Sequence, residues 1–203
     1  MLHYSAVDSS TLEILKRLLQ IPLFGDLRLV GGTSLALQLG HRKSVDIDLF
    51  GLLEADDLSV SDALKEFNNV TIIQKSENIT IYAIEGIKVD IVNYKYPWLN
   101  PVMEEDGLRM AQIEDVAAMK LSAISGRGSK KDFIDIFFLL QQFKLGEMME
   151  YYNKKYSDGS EFLVLKSLTY FEDADLDQSP VMLKSIDWDQ VKVSIINQVE
   201  NYS

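Results

Sequence analysis

Apolar residues recur along the chain at two different periods, and the switches between them outline the elements. Leu12, Leu15, Leu18 and Leu19 fall at helical spacing within residues 8–20, with Asp8, Ser9 or Ser10 as caps and Pro22 and Gly25 as the stop. Leu27 to Val30 predicts a short strand that runs into Gly31-Gly32, and the pattern from Thr33 to Leu39 is helical until Gly40. Ser44 to Phe50 alternates apolar and polar and predicts a strand. Residues 59–68 predict a short helix. Three β-type runs follow, Val70–Gln74, Ile79–Ile84 and Ile87–Val92, the last two parted by Gly86 as in a tight antiparallel turn. After Pro97 and Pro101, Leu108 to Ala111 is one more strand. Beyond Glu114 the chain reads as helices over 114–124, 130–143, 146–155, 160–171 and 185–200. A mixed sheet in the first half with helices gathered in the second predicts an α+β or mixed α/β class, with a soft boundary near residue 110.

The strand pattern makes the first chemical statement. Residues two apart on a strand share a face, so Asp46 and Asp48 lie on one side while Val45, Ile47 and Leu49 lie on the other. Neighbouring carboxylates repel unless a cation or a proton sits between them. A divalent metal answers that need, because Mg²⁺ takes one or two carboxylates and fills its other positions with phosphate oxygens and water. Asp90 sits opposite Ile87, Val89 and Ile91 on its own strand and reaches the pair if the two strands are neighbours, as a metal ligand or a general base. The bland alternative is three aspartates on solvent-facing strands.

Gly31-Gly32-Thr33 stands between a strand and a helix. Glycine lets backbone approach a ligand closely, and a helix N-terminus offers unpaired N–H groups to an anion. A phosphate fits there with the Thr33 hydroxyl as an extra donor, although Thr33 is equally suited to cap the helix. No Gly-Lys-Ser/Thr follows, so this is not a Walker loop.

Composition narrows the options. The chain has 203 residues and no cysteine, which excludes disulfide scaffolds, thiolate zinc sites and cysteine nucleophiles. Its histidines, His3 and His41, form no recognisable ligand pair. No apolar run reaches membrane-spanning length and no signal-like segment begins at Met1, so a cytoplasmic location is expected. The net charge of −11 opposes general binding of polyanions, so any nucleic acid must meet a local basic patch. His41-Arg42-Lys43 and Arg127, Lys130 and Lys131 are such patches. The acidic clusters Glu104-Glu105-Asp106 and Glu172 to Asp177 read as solvated surface and loop.

The run Gly31-Gly32-Thr33-Ser34-Leu35-Ala36-Leu37-Gln38-Leu39-Gly40-His41-Arg42-Lys43-Ser44-Val45-Asp46-Ile47-Asp48-Leu49-Phe50 closely resembles the first motif of the AbiEii/AbiGii toxin family. These are nucleotidyltransferase-like proteins of abortive-infection and type IV toxin–antitoxin systems. Glu114-Asp115-Val116-Ala117-Ala118-Met119-Lys120, followed by Gly126 to Asp135, resembles the family's downstream D-x-x-x-x-K and K-D-x-x-D motifs. The resemblance spans roughly residues 26–143. It implies a polymerase-β-type nucleotidyltransferase fold, with residues 1–110 as the core and 111–203 as a helical part packed on it. It also implies Mg²⁺ and a nucleoside triphosphate. By motif position, Gly32 and Thr33 correspond to phosphate binding, Asp46 and Asp48 to metal ligands, and Lys120 and Asp135 to supporting downstream residues. With the strand reading of Asp90, the expected metal set is Asp46, Asp48 and Asp90, the nucleotide-binding set is Gly31, Gly32, Thr33, Arg42, Ser44 and Lys120, and the catalytic set is Asp46, Asp48, Asp90, Lys120 and Asp135. The chain is short for the family, whose longer toxins carry a larger helical part.

Several residues keep a structural reading beside the functional one. Lys120 sits at the edge of its helix, either reaching the triphosphate or snorkelling to solvent. Ser129-x-x-Asp132 fits a capping box, and Lys131, one turn before Asp135, is placed to pair with it. Tyr94, Tyr96, Trp98, Tyr151, Tyr152 and Tyr156 either stack on a base or belong to core and rim. The leading reading is a Mg²⁺-dependent nucleotidyltransferase toxin acting on RNA, tRNA by resemblance, with an antitoxin protein as a candidate partner and no membrane. The alternatives are a non-catalytic GTP- or ATP-binding module acting through a protein partner, and transfer to a small molecule or protein side chain.

Overall fold

A computed structural model describes residues 1–202. Helix α1 (Ser9–Gln20) leads into β1 (Arg28–Leu29), α2 (Gly31–Leu39) and β2 (Ile47–Gly51). Helix α3 (Asp57–Ala63) and a 3-10 turn at Leu64–Glu66 precede β3 (Val70–Lys75), β4 (Ile79–Ile84) and β5 (Ile87–Asn93). The hairpin β6 (Met103–Glu105) and β7 (Leu108–Met110) completes one seven-stranded sheet, ordered β3-β4-β5-β2-β1-β7-β6. Helices α4 (Ile113–Gly126), α5 (Lys130–Leu139), α6 (Leu145–Lys155), α7 (Glu161–Leu168), α8 (Glu172–Leu176) and α9 (Trp188–Glu200) follow. The sheet is mixed: β2 runs parallel to β5 and β1 parallel to β7, while the other neighbours are antiparallel. The expected mixed α/β class is therefore the observed one.

The alternation in the strands sends side chains into two separate cores. Ile47, Leu49, Val89 and Ile91 pack with Leu15, Leu18 and Leu19 of α1 on one face. Val92 and Tyr94 join Val116, Ala117 and Leu121 of α4 and the later helices on the other, with Phe50 packed against them. Val30 and Leu35, from the first half of the chain, also belong to this second core. Helix α4 therefore lies over the face that carries Asp48 and Asp90.

Four expectations about elements are corrected. The strand expected over 44–50 begins only at Ile47, and Ser44 makes just an isolated bridge to Val7. Val45, expected on the face of Ile47 and Leu49, is 57% exposed, because the chain before Ile47 lies outside the sheet. The Glu104-Glu105 run expected as loop is strand β6, closed onto β7 by an Asp106-Gly107 turn with both residues at positive φ. Part of the acidic run after Phe171 is the short helix α8 rather than loop.

Candidate active site

Helix α2 and strand β2 are built as one unit. Val30 N–H donates to the Asp48 carbonyl at 2.9 Å, which brings the start of α2 onto β2. Gly31 adopts φ +68, and a Cβ there would lie 2.1 Å from Asp48 Oδ2. A Cβ on Gly32 would lie 2.5 Å from an Arg42 guanidinium nitrogen. The two glycines thus leave room for a carboxylate and a guanidinium pressed against the helix N-terminus. Thr33 is fully buried in the first turn of α2; its hydroxyl donates to the Asp46 carbonyl and hydrogen-bonds the Ser44 hydroxyl at 2.9 Å. The expected roles of Thr33 as helix cap or phosphate donor are corrected: Val30 is the cap residue, and Thr33 ties the 44–46 segment to the helix.

Strand β5 lies parallel to β2 with Asp90 directly opposite Asp48. Residues opposite each other on neighbouring strands point to the same face, so the two carboxylates are neighbours. Burial and the charge of Asp90 push the Asp48 carboxyl up from 3.8 to about 6, and Asp46 adds to the shift while Lys120 and Lys88 oppose it. Asp90 is bound by Lys88, two residues away on the same face, at 2.6 and 2.7 Å. Gly32, Arg42, Ser44, Asp46, Asp48, Lys88, Asp90, Lys120, Arg127 and Lys131 line one cavity of about 410 Å³. Among the described residues, no group of three or more His, Asp or Glu side chains is arranged to hold a metal ion. The expected three-carboxylate cage is therefore corrected to an adjacent pair, Asp48 and Asp90, with Asp46 on the wall of the same cavity. That donor set fits a divalent cation that takes few protein ligands, because the repulsion that raises the Asp48 pKa is what a positive charge would relieve.

The positive wall of the cavity rests on two carboxylates behind it. Asp135 of α5 is fully buried and binds Arg42 through two bonds, Nε at 2.7 Å and a terminal nitrogen at 2.8 Å. It also binds Lys120 at 2.6 Å and His41 Nε2 at 2.8 Å. Asp132, equally buried, holds Lys120 at 3.0 Å and takes two bonds from Arg127, at 2.7 and 2.9 Å. Burial alone would raise both carboxyls, but Lys120 and Arg42 hold Asp135 well below the usual range, and Arg127 and Lys120 do the same for Asp132. Three expectations change here. Lys120 is buried rather than at a helix edge, although it lines the cavity. Lys131 is not the partner of Asp135. The Ser129 hydroxyl bonds the Asp132 carboxylate at 2.5 Å instead of closing a capping box. Asp135 thus stands behind the cavity wall, not in it.

Asp48, Asp90, Lys120 and Arg127 also border a second space of about 480 Å³, whose other walls include Phe50, Tyr94, Tyr96, Met119 and Tyr156. The Tyr94 and Tyr156 hydroxyls bond each other at 2.8 Å, and burial first, then that contact, raises the Tyr94 pKa. Burial also pushes the Tyr156 hydroxyl up to about 12. Of the remaining aromatics, Trp98 packs against Tyr94, Tyr152 is buried, and Tyr151 meets Phe143. The aspartate of the D-x-x-x-x-K motif, Asp115, had no role from sequence. It is buried, accepts from the Leu99 and Asn100 N–H groups, and binds the buried Lys155 at 2.7 Å, so it anchors the loop after Tyr94. Its presence inside a quoted motif was the signal.

Comparisons with known proteins match this layout. The model of the nucleotidyl transferase AbiEii toxin family, type IV toxin–antitoxin system, covers residues 13–201. An uncharacterized protein of Aquifex aeolicus (strain VF5) is 38% identical over 168 residues, 80% of this chain and 82% of that protein. MenT4, the nucleotidyltransferase toxin Rv2826c from Mycobacterium tuberculosis H37Rv, shares the fold with a TM-score of 0.62 at 16% identity, over 96% of this chain and 83% of its own. JHP933 from Helicobacter pylori does so with a TM-score of 0.56 at 19% identity, over 96% and 92%. At such identities the solved structures speak for the fold, while the family match extends over most of the residues described above. On that ground the chain belongs to the nucleotidyl transferase AbiEii toxin family of type IV toxin–antitoxin systems, enzymes that take a nucleoside triphosphate as substrate.

Proposed function

We propose that this enzyme transfers a nucleotide from a nucleoside triphosphate to a hydroxyl of an RNA acceptor, tRNA by family resemblance, with Mg²⁺ as the metal. The acceptor oxygen bonds to the α-phosphorus, the bond from that phosphorus to the β-phosphate oxygen breaks, pyrophosphate leaves, and the hydroxyl proton passes to solvent. The reading is supported above all by one observation: a cavity that holds acidic and basic walls together shares four residues with an aromatic space large enough for a nucleoside.

The nucleoside occupies the space between Phe50, Tyr94, Tyr96 and Met119, and the triphosphate runs past Lys120 and Arg127 toward Arg42 and Gly32. Asp48 and Asp90, with Asp46, are the residues that would hold Mg²⁺, which supplies positive charge beside the reacting phosphate. Arg42 has five N–H donors and Lys120 three. Asp135, Asp132 and the Lys43 carbonyl occupy three of the first and two of the second, so both cations keep donors for phosphate oxygens. Lys88, Arg127 and Lys131 on the cavity lining give it a basic character that the −11 chain otherwise lacks, which suits an RNA acceptor. As the family is that of a type IV system, an antitoxin is the expected protein partner.

The test incubates the protein with labelled nucleoside triphosphates, Mg²⁺ and total tRNA. Label is expected in the RNA, and it is expected to vanish for Asp46→Ala and Asp48→Ala. Undiminished labelling by those variants removes the mechanism. Labelling that persists in RNA-free extract moves the acceptor to a small molecule or a protein.

A further inference from the structure

We propose that His41, expected from sequence only as part of the basic patch His41-Arg42-Lys43, is a positioning residue that acts with Asp135 to fix Arg42 and Lys120 as the phosphate-binding wall. The inference rests on the reading of the cavity given above.

Three observations carry it. His41 is fully buried, and its Nε2 meets Asp135 Oδ1 at 2.8 Å, the same oxygen that accepts from Arg42 Nε at 2.7 Å. Asp135 is ionised, so Nε2 must carry the proton and donate. Burial lowers the His41 pKa against the pull of Asp135, so the ring is neutral and Nδ1 carries only a lone pair. Among the described residues, His41 Nδ1 is the buried side-chain polar atom with no partner. The other tautomer would satisfy nothing at Nδ1 and would face the Asp135 carboxylate with a second lone pair, so the environment admits one protonation state.

The ring itself is clamped. Phe138, one turn beyond Ile134 on α5, tilts against it with centroids 4.9 Å apart. The His41 carbonyl accepts from the Leu183 and Lys184 N–H groups at 2.9 and 3.1 Å, and Lys43 N–H donates to the Val181 carbonyl at 2.7 Å. The segment 181–184 thus binds the 41–43 stretch from outside while Asp135 holds it from within. The Arg42 fork sets the plane of the Asp135 carboxylate, and His41 at Oδ1 and Lys120 at Oδ2 hold that carboxylate, and with it the guanidinium, in place from the two sides. His41 does so without adding charge, and Arg42 stays against the Gly32 backbone, where a phosphate would arrive.

Two measurements test the pair. In wild-type protein, ¹⁵N-labelled imidazole spectra are expected to show His41 as the neutral Nε2–H tautomer; an Nδ1–H tautomer or a charged ring overturns the assignment. Binding of a non-hydrolysable nucleoside triphosphate analogue with Mg²⁺ is then compared by calorimetry for wild type, His41→Leu and His41→Gln. His41→Leu is expected to weaken binding about tenfold, while His41→Gln, whose amide nitrogen stands near the Nε2 position, recovers most of it. Equal affinity for wild type and His41→Leu, or equal losses in both variants, sinks the positioning role. Failure of the wild type to bind the analogue sinks the cavity reading instead and leaves the tautomer result standing as the test of the pair.

Discussion

Two sets of aspartates lie within one site and have opposite fates. Asp132 and Asp135 are buried and saturated: each receives at least three charged or polar donors, and both are held well below the usual carboxylate range. Asp46, Asp48 and Asp90 line open space, and Asp48 is pushed the other way, to about 6, by burial and by Asp90. The first set has spent its binding capacity inside the protein. The second, held from within only by Lys88 at Asp90, retains capacity for something from outside. On the reading proposed above, the contrast separates support from function where sequence position does not, since Asp46, Asp48, Asp132 and Asp135 all belong to quoted motifs.

The strongest way to break this comparison is Asp135→Asn. Removing one partner of a buried ionic cluster leaves the others uncompensated, at a cost of about 3–5 kcal/mol. Here Arg42 and Lys120 would be left with a neutral amide. Urea unfolding at pH 7.5 should show that loss. A variant within 1 kcal/mol of wild type, on the scale of that same cost, would mean that Asp135 is not a support. The sign with pH follows from the depressed pKa: the stabilisation by Asp135 is present above the ordinary carboxylate value and is lost only as pH falls through the folded one.

Much of this was legible in the sequence, and the failures share a cause. Period-two alternation correctly set Asp48 against Ile47 and Leu49, and Asp90 against Val89 and Ile91, because those faces are decided by burial. Asp46 broke the pattern because Thr33, a buried hydroxyl eleven residues before Ser44, ties the 44–46 backbone to α2 outside the sheet. The partner of Asp135 was sought one turn away at Lys131, whereas Arg42 and His41 reach it from 93 and 94 residues away. Local spacing reports local pairs, and a fully buried charge takes its partners from wherever the fold brings cations. Strand β6 was hidden for a related reason, since Glu104-Glu105 at a sheet edge carries no apolar alternation to read.

A smaller effect of opposite sign should appear at Asp48. Its raised pKa means that the free protein is penalised once the carboxyl ionises: the penalty is absent below the ordinary value of 3.8 and complete above about 6. Asp48→Asn is therefore expected to stabilise the metal-free protein by up to about 3 kcal/mol above that range and by nothing at pH 3.5, while it abolishes transfer. Thermal unfolding at the two pH values checks the sign. Mg²⁺ should raise the melting temperature of wild type at pH 7.5 and leave that of Asp48→Asn unchanged. A destabilised Asp48→Asn at pH 7.5 would place this residue with the supports and erase the distinction.

The smallest effect is expected at Arg127, which belongs to both sets. Its guanidinium closes on buried Asp132, yet its side chain is 60% exposed and borders both spaces. Asp132 keeps Lys120 and Ser129 when Arg127 is cut back, so Arg127→Ala should cost about 1 kcal/mol of stability. Arg127 also keeps donors for a ligand, so the same variant should raise the KM for the nucleoside triphosphate about fivefold with little change in kcat, as for a contact made equally in ground and transition states. A drop in kcat at constant KM would instead place Arg127 at the charge that develops on the leaving pyrophosphate. A stability loss as large as that of Asp135→Asn would make it a third support whose exposure is incidental. The three outcomes separate along two measured axes, so one rim residue decides where support ends and the binding surface begins.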